Sequence, residues 1–353
     1  MLIENFDEVL KRNIEFMSNP DKKGVLVKIG NLKDSEKFYI KPLEEWNFPD
    51  DYKEYSEQGL KGVKLKYEQR RGILDDTIPI ACPYYGMAEH SAFVGGEVSY
   101  GANTSYHHHP IKNWDDMAKL SLDEKNQNFR LLLDSMEYIK EKSEKMGFVL
   151  SLRGVSAPME LANTLRGNDF FTDMYDEEEN IRKLLEFCVE AGHWTIQHQK
   201  EIIGTMAGGV FTGMGLWLPN NGVGHVSEDT STMCSPAMYE EFGKPYTEKF
   251  LEKYDGGVFH LHAMGKHIIP LVAQIEKARV LQITDDPNQP SPIEIYKEYA
   301  DVLKDKITFI SANEQEILDN IEFFENRKTI ISLPNVENKE HAKRILDILE
   351  HLR

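Results

Sequence analysis

The chain has 353 residues, 41% of them hydrophobic, which fits either two average domains or one large α/β barrel. Its formal net charge of −18 disfavours a nucleic-acid or anionic-membrane surface, because phosphates would be repelled, and favours a soluble enzyme with a neutral or cationic ligand or a basic protein partner. Three widely spaced cysteines, with neither a signal-peptide pattern nor an apolar run of membrane-spanning length, lead us to expect a cytoplasmic protein without disulfides.

Short strand-like runs alternate with amphipathic stretches along the chain. The runs are rich in β-branched or aromatic residues and are bounded by Gly, Pro or polar residues. The predicted strands are 24–29, 78–82, 148–152, 209–213, 257–262, 280–284, 307–311 and 329–333. The predicted helical stretches are 126–145, 177–204, 236–253, 266–277, 291–303, 314–325 and 338–352.

Eight strands that alternate with helices predict an α/β fold, a parallel sheet closed into a (β/α)8 barrel by right-handed crossovers. We expect a single domain over residues 1–353, in which residues 1–76 supply the first strand and a helical or irregular cover at one end of the barrel. An open doubly wound sheet is the structural alternative, but no Gly-x-Gly-x-x-Gly turn follows any predicted strand.

The fifth predicted strand ends in two histidines, His260 and His262. Strand side chains alternate between faces, so both imidazoles point the same way, and barrel enzymes place their chemistry at the carboxyl ends of the strands. Two adjacent imidazoles can hold a divalent metal or a polar substrate, or can act as proton donors when no metal is bound. A metal site would need further ligands from elsewhere in the chain.

Three other predicted strand ends carry candidate substrate-binding residues. Arg153 follows the third strand and either binds a carboxylate or pairs with Asp285 or Asp286 after the sixth strand. Asp285 is itself a candidate contact to substrate. Trp217, after the fourth predicted strand, belongs either to the core or to the wall of an apolar pocket.

Residues 97–110 form a segment rich in glycine, aromatic residues and histidine. We expect it to be either a lid over the barrel mouth, which would bring Glu97, Tyr100, Asn103 and His107 to the substrate, or a solvated loop with one or two buried members. Both readings remain open from the sequence, since three consecutive histidines cannot all face one site.

Residues 147–265 resemble the uroporphyrinogen decarboxylase superfamily, which includes corrinoid-dependent methyltransferases. The likeness rests on the order of several short motifs, each of them weak by itself. They are Arg153–Ala162, which is similar to a Gly-x-x-x-x-Pro-x-x-Leu-Ala segment, Asp173–Tyr175 with Leu184–Leu185, the acidic pair Glu228–Asp229, the segments Ser235–Phe242 and Lys244–Tyr246, and Val258–Gly265. The resemblance implies a (β/α)8 fold.

Departures from the family pattern narrow the implied activity. The decarboxylases carry an arginine-containing segment after the first strand, and residues 25–32 contain no arginine. Members that activate thiols bind zinc through His-x-Cys and a late cysteine, whereas His262 occupies the Cys position here and residues 331–335 contain no cysteine. Members that demethylate methyl ethers or methylamines are therefore the closer resemblance.

In the aromatic O-demethylase members, glutamates and a histidine are proposed zinc ligands. Glu241 keeps one such spacing, with 20 residues between it and His262, but we expect it on a helix that does not reach the site. The resemblance therefore implies His260, His262 and Glu228 as catalytic and zinc-binding residues. Cys234 is either a further ligand or the lead-in to a helix that starts at Ser235-Pro236.

The resemblance implies a methyltransferase that moves a methyl group from a small donor, first a methoxylated aromatic and second a methylamine, to Co(I) of a corrinoid. No Asp-x-His-x-x-Gly corrinoid motif occurs in the chain, so the corrinoid is expected on a separate partner protein. The resemblance also implies a homodimer. The alternatives are a decarboxylase of the uroporphyrinogen type and a barrel that binds a tetrapyrrole or small ligand without chemistry.

Overall fold

The computed structural model describes residues 1–353, with every side chain except that of residue 144. Its strands alternate with helices and form a (β/α)8 barrel, which confirms the predicted fold class. The barrel strands are β1 (Gly24–Leu32), β2 (Ile80–Ala81), β3 (two segments, Val149–Leu150 and Val155–Ser156), β4 (Val223–Ser227), β5 (Gly257–His262), β6 (Ala278–Thr284), β7 (Ile307–Ser311) and β8 (Lys328–Val336).

The helices lie mainly outside the barrel and follow the strands along the chain. They are α1 (Phe6–Ser18), α2 (Tyr52–Gln69), α3 (Glu89–Phe93), α4 (Gln127–Met146), α5 (Pro158–Arg166), α6 (Asp169–Asp176), α7 (Glu178–Ile203), α8 (Pro236–Met238), α9 (Lys244–Leu251), α10 (Ile269–Val272), α11 (Pro292–Glu298), α12 (Glu314–Leu318), α13 (Ile321–Glu325) and α14 (Lys339–Leu349). A π-helical turn, Tyr239–Gly243, joins α8 to α9. Among the described residues, no helix combines the length and the apolar character needed to cross a membrane.

Hydrogen bonds join seven strands in the parallel order β1-β8-β7-β6-β5-β4-β3, and the first segment of β3 pairs with β2. Between β1 and β2, two carboxylates take the place of a backbone ladder. The Val27 N–H donates to Asp76 Oδ2 at 2.8 Å, and the Ile29 N–H donates to Asp75 Oδ2 at 2.7 Å. These bonds satisfy backbone donors of β1 that would otherwise be buried without partners, and they close the barrel.

The fourth strand was predicted at 209–213, and that prediction is wrong. Gly209–Phe211 pairs antiparallel with Trp217–Pro219 in a hairpin, which we call the 209–219 hairpin. The fourth barrel strand is β4, which pairs with β5 and with the second segment of β3. The sequence of β4, Val-Gly-His-Val-Ser, is not a continuous apolar run, because alternate residues face a polar barrel interior.

Two segments outside the barrel cover its surface. The 209–219 hairpin packs against α1, and Leu152 of the third strand bridges to Thr212 of the hairpin. A second hairpin, Glu97–Tyr100 with Ser105–His108, packs against α3 and α5. Helix α2 is the crossover between β1 and β2 and packs against α4.

The outward faces of the strands form the core with the helices, and polar side chains lie on the inward faces near the carboxyl ends. In β5, Val258, Phe259 and Leu261 are fully buried, whereas His260 and His262 are only partly buried. This alternation leaves the histidines facing the barrel interior near the carboxyl end, where the candidate site lies.

Candidate functional site

Three side chains meet at the carboxyl ends of β4 and β5. His260 and His262 come from β5, and Asp229 lies two residues beyond the end of β4. His260 Nε2 and His262 Nε2 each lie 3.7 Å from Asp229 Oδ1, and the possible ligand atoms of all three residues fall within 4.8 Å of one another. We call this group the Asp229–His260–His262 cluster.

The sheet register holds the other ring nitrogen of each histidine. His260 lies opposite Gln282 of β6, and its Nδ1–H donates to Gln282 Oε1 at 2.6 Å. The Nδ1–H of His262 donates to Asp286 Oδ1 at 2.8 Å, and Asp286 Oδ2 accepts the Met264 N–H at 2.8 Å. Both histidines are thereby fixed with the Nε2 lone pair directed towards Asp229, an arrangement that suits metal ligation.

Electrostatics keep the cluster in the forms that bind a metal. Burial lowers the pKa of His260, and this outweighs the opposing effect of the Asp229 carboxylate, so the ring is neutral near pH 7. Desolvation disfavours ionised Asp286, but hydrogen bonds from the Met264 N–H and the His262 ring hold its pKa below the usual value. The cluster therefore offers a neutral imidazole at His260, and its Asp229 Oδ1 makes no hydrogen bond to any described residue.

The carboxylate of Glu228, which was predicted at this site, lies outside the cluster, although the Glu228 N–H donates to the His260 carbonyl at 3.3 Å. It is fully buried near Glu160, Cys234 and Tyr239, and both its carboxylate oxygens are without hydrogen-bond partners among the described residues. Burial, with a contribution from Glu160 and Asp229, raises the pKa of Glu228 well above its usual value. The structure thus brings Asp229 rather than Glu228 to the histidine pair.

The other two residues considered as metal ligands also lie outside the cluster. Cys234 is buried, and burial raises the pKa of its thiol to about 12, so the thiolate that a metal needs is disfavoured. Its carbonyl oxygen accepts a hydrogen bond from His267 Nε2 at 2.8 Å. Glu241 lies in the π-helical turn and pairs on the surface with Arg182, at 2.7 Å between Oε1 and Nη2.

Arg153 faces a cavity of about 510 Å³ that is lined by barrel strands together with helix α2 and the 209–219 hairpin. Its Nε donates to the buried Glu89 carboxylate, and its guanidinium lies 5.0 Å from the centre of the Tyr84 ring. The predicted pairing with Asp285 or Asp286 is not formed, since Asp286 holds His262 and Asp285 accepts the Ser311 hydroxyl at 3.2 Å.

The remaining predicted substrate residues are dispersed. Glu97 and Asn103 are exposed on the Glu97–His108 hairpin, where Tyr100 packs edge-on against Phe48 at 5.2 Å between ring centres. His107 is half-buried, and its Nδ1 lies 3.3 Å from the Ser91 hydroxyl. Trp217 is buried in the 209–219 hairpin, where its Nε1–H donates to the Met206 carbonyl at 3.0 Å.

Four residues near the site were not identified from the sequence: Lys28, His225, Asp229 as a ligand, and Gln282. His225, Ser227 and Asp229 alternate along β4 and the residues that follow it, which is the signal that could have identified them. It was missed because the fourth strand was placed at 209–213. Gln282 and Lys28 give no local signal, since Gln282 gains its role from His260 on the neighbouring strand and Lys28 gains its role from the 209–219 hairpin.

Comparisons with known proteins support the resemblance inferred from the residues. No protein-family model matches the chain. Among curated proteins, methylcobamide:CoM methyltransferase MtbA of Methanosarcina acetivorans is 27% identical over 177 residues, which are 50% of this chain and 42% of that protein. Among solved structures, a methyltransferase from Methanosarcina mazei has a TM-score of 0.61 at 13% identity and covers 97% of both chains.

The two matches differ in what they establish. The structural match extends over nearly the whole chain and, at its low identity, shows the shared fold. The sequence match spans less than half the length of the curated relative. Together they support the resemblance to corrinoid-dependent methyltransferases that was inferred from the residues.

Proposed function

We propose that this protein is a methyltransferase that moves a methyl group from a small methylated donor to a corrinoid carried by a separate protein. The observation that carries the proposal is the Asp229–His260–His262 cluster at the carboxyl end of a barrel. The sequence relative, whose name states a methylcobamide substrate, supports the corrinoid part. A methoxylated aromatic is the first candidate donor, and a methylamine the second.

The cluster has the properties of a catalytic zinc site. Two imidazoles and one carboxylate are three ligands of the types that zinc binds, which leaves a fourth position for substrate. The Nδ1 acceptors Gln282 and Asp286 orient the rings, and Asp229 Oδ1 is free to coordinate. His262 and Asp229 keep about a third of their side-chain surface exposed, at 32% and 33%, so a substrate can reach them.

Zinc bound there would act as a Lewis acid on the leaving group of the donor. The three side chains of the cluster would hold the zinc ion, and their charges would favour a cation at that place. Asp229 contributes one negative charge, and burial keeps His260 neutral, so the cluster favours a cation. With no metal bound, the same imidazoles would instead act as proton donors to the leaving group when they are protonated at Nε2.

The ligand set favours an ether or amine donor over thiol activation. Thiolate ligands accompany zinc in the thiol-activating members that the chain resembles, and His262 occupies the position of that cysteine. The harder imidazole and carboxylate ligands of this cluster suit an oxygen or nitrogen leaving group better.

The first test is the zinc content of protein produced without a polyhistidine tag. We expect about one zinc per chain in the wild type and its loss in Asp229→Ala and in the His260→Ala/His262→Ala double variant. Glu228→Gln is the matched control, because Glu228 neighbours Asp229 in the chain but lies outside the cluster, and it should keep its zinc. Zinc lost from Glu228→Gln and kept by Asp229→Ala would reverse the ligand assignment.

Methyl transfer is tested with free cob(I)alamin as acceptor and a methoxylated aromatic as donor. Formation of methylcobalamin, followed by its absorbance, should require zinc and should fail in Asp229→Ala. If the zinc-loaded wild type methylates no cobalamin from any ether or amine donor, the proposal is contradicted. The remaining interpretations are then a decarboxylase and a non-catalytic binding barrel.

A further inference from the structure

The cavity that Arg153 faces has a cationic lining, in contrast to the negative charge of the whole chain. Its volume of about 510 Å³ suits a small molecule. Three basic side chains, Lys28, Lys66 and Arg153, line it, and no Asp or Glu is among the described residues of the lining. Ile80, Met214 and Val63 supply apolar walls, so the cavity has a charged part and an apolar part.

Lys28 is the most deeply buried of the three cations, and it has no carboxylate partner among the described residues. Its side chain enters the cavity from β1 and is only 8% exposed. Its Nζ donates to the Gly215 carbonyl at 2.9 Å, and it forms no salt bridge with any described carboxylate. Two of its three N–H donors are therefore available to a ligand. Asp75, an acidic neighbour of Lys28, already accepts hydrogen bonds from the Ile29 N–H, Arg70 and Thr77 at Oδ2.

The other two cations differ in how far they are neutralised. Arg153 is paired through Nε with Glu89, which leaves the rest of its guanidinium for other contacts. Lys66 is half-buried at the cavity and forms no salt bridge with a described residue. The cavity therefore keeps a net positive charge that a buried anion would compensate.

The cavity is next to the Asp229–His260–His262 cluster. His225 of β4 lines the cavity, and the centre of its ring lies 5.2 Å from that of His260. A small molecule whose acidic end pairs with Lys28 can therefore extend along His225 towards the cluster.

We infer that this cavity binds the carboxylate of the methyl donor, and that the donor class is a small carboxylic acid bearing the transferable methyl group, with Lys28 as the ion-pair partner. The identification of the ligand as the donor rests on the proposed function, whereas carboxylate binding rests on the cavity alone. This differs from the neutral or cationic ligand that the net charge of the chain favours.

The test compares 4-methoxybenzoate with 4-methoxybenzamide, which has the same shape without the charge. Calorimetry on the zinc-loaded wild type should show the acid bound at least about ten-fold more tightly than the amide. Lys28→Met should remove that preference, and Lys28→Arg should retain most of it because it keeps the charge.

Lys328→Met is the matched control. Lys328 is also buried, and its Nζ also donates to one backbone carbonyl, that of Asn19 at 2.5 Å, but it lies at the start of β8 outside the cavity. The Lys328→Met variant should therefore keep the preference for 4-methoxybenzoate over 4-methoxybenzamide.

Equal affinity for acid and amide, binding of neither up to the solubility limit of the amide, or an unchanged preference in Lys28→Met would overturn the inference. The proposed methyltransferase function would then still stand on the zinc and methyl-transfer tests. If the acid binds through Lys28 but no cob(I)alamin is methylated, the carboxylate site is supported and the proposed methyltransferase function is contradicted.

Discussion

At the scale of single residues, the candidate site depends on the hydrogen-bond acceptors of the two histidines as much as on the histidines themselves. Gln282 and Asp286 each accept the Nδ1–H of one ring, which fixes the tautomer and points Nε2 at Asp229. Partners of this kind make a ring a better and better-placed ligand. A residue that touches no substrate can therefore control the metal affinity of the site.

We predict that Asp286→Asn lowers the zinc affinity by about 10- to 100-fold, because His262 loses a charged acceptor for its Nδ1–H. Competition with a chromophoric chelator measures the affinity. Asp285→Asn is the control, since Asp285 is adjacent but exposed and contacts Ser311 instead. Equal zinc affinity in Asp286→Asn and Asp285→Asn would show that the carboxylate does not support the ring.

At the scale of secondary-structure elements, the barrel contains one junction without a backbone ladder. Asp75 and Asp76 precede β2 and accept N–H groups of β1. Asp76 also pairs with Arg12 of α1 at 2.6 Å and with Arg353 at the end of the chain at 3.0 Å. This one carboxylate therefore ties β1, α1 and the C-terminus together.

We predict that Asp76→Ala lowers the free energy of unfolding by about 4 kcal/mol, because it leaves a buried N–H and two guanidinium groups without their partner. Urea unfolding followed by circular dichroism measures the change. Asp34→Ala, at an exposed position after β1, should change it by less than about 0.5 kcal/mol. A loss no larger than that of Asp34→Ala would mean that solvent replaces these bonds.

At the scale of the whole molecule, the net charge and the charge at the cavity have opposite signs. The chain carries −18, yet its barrel interior holds Lys28 without a carboxylate partner. Burial lowers the pKa of Lys28 to about 8, and Asp75 and Asp76 only partly oppose this. Lys28 thus remains mainly protonated at pH 7, at a cost in stability that a bound anion would offset.

We predict that Lys28→Met is more stable than the wild type near pH 7, by about 3 kcal/mol. The folded pKa of Lys28 lies below its unfolded value of 10.5, so the wild-type penalty is fully present below about pH 8 and disappears as the pH rises through 10.5. Urea unfolding at pH 7 and near pH 10.5 should show the difference shrinking. A variant less stable than the wild type at pH 7 would show that Lys28 stabilises the fold.

The sequence alone was sufficient to predict the features that depend on local periodicity and on the order of motifs. The alternation of strands and helices predicted the (β/α)8 barrel, and the two-residue period of a strand placed His260 and His262 on one face. The motif order between Arg153 and Gly265 indicated the methyltransferase branch, which the comparisons support. These features are encoded within short segments, so they can be read without knowledge of their neighbours.

Tertiary structure decided which residues meet. The choice of Asp229 over Glu228 depends on how β4 ends beside β5, and one residue of offset reverses the face on which a side chain lies. The placement of Gln282 behind His260 depends on strand register, and the role of Lys28 depends on a hairpin almost two hundred residues away in the chain. Such contacts arise from long-range packing, which no local pattern of the sequence records.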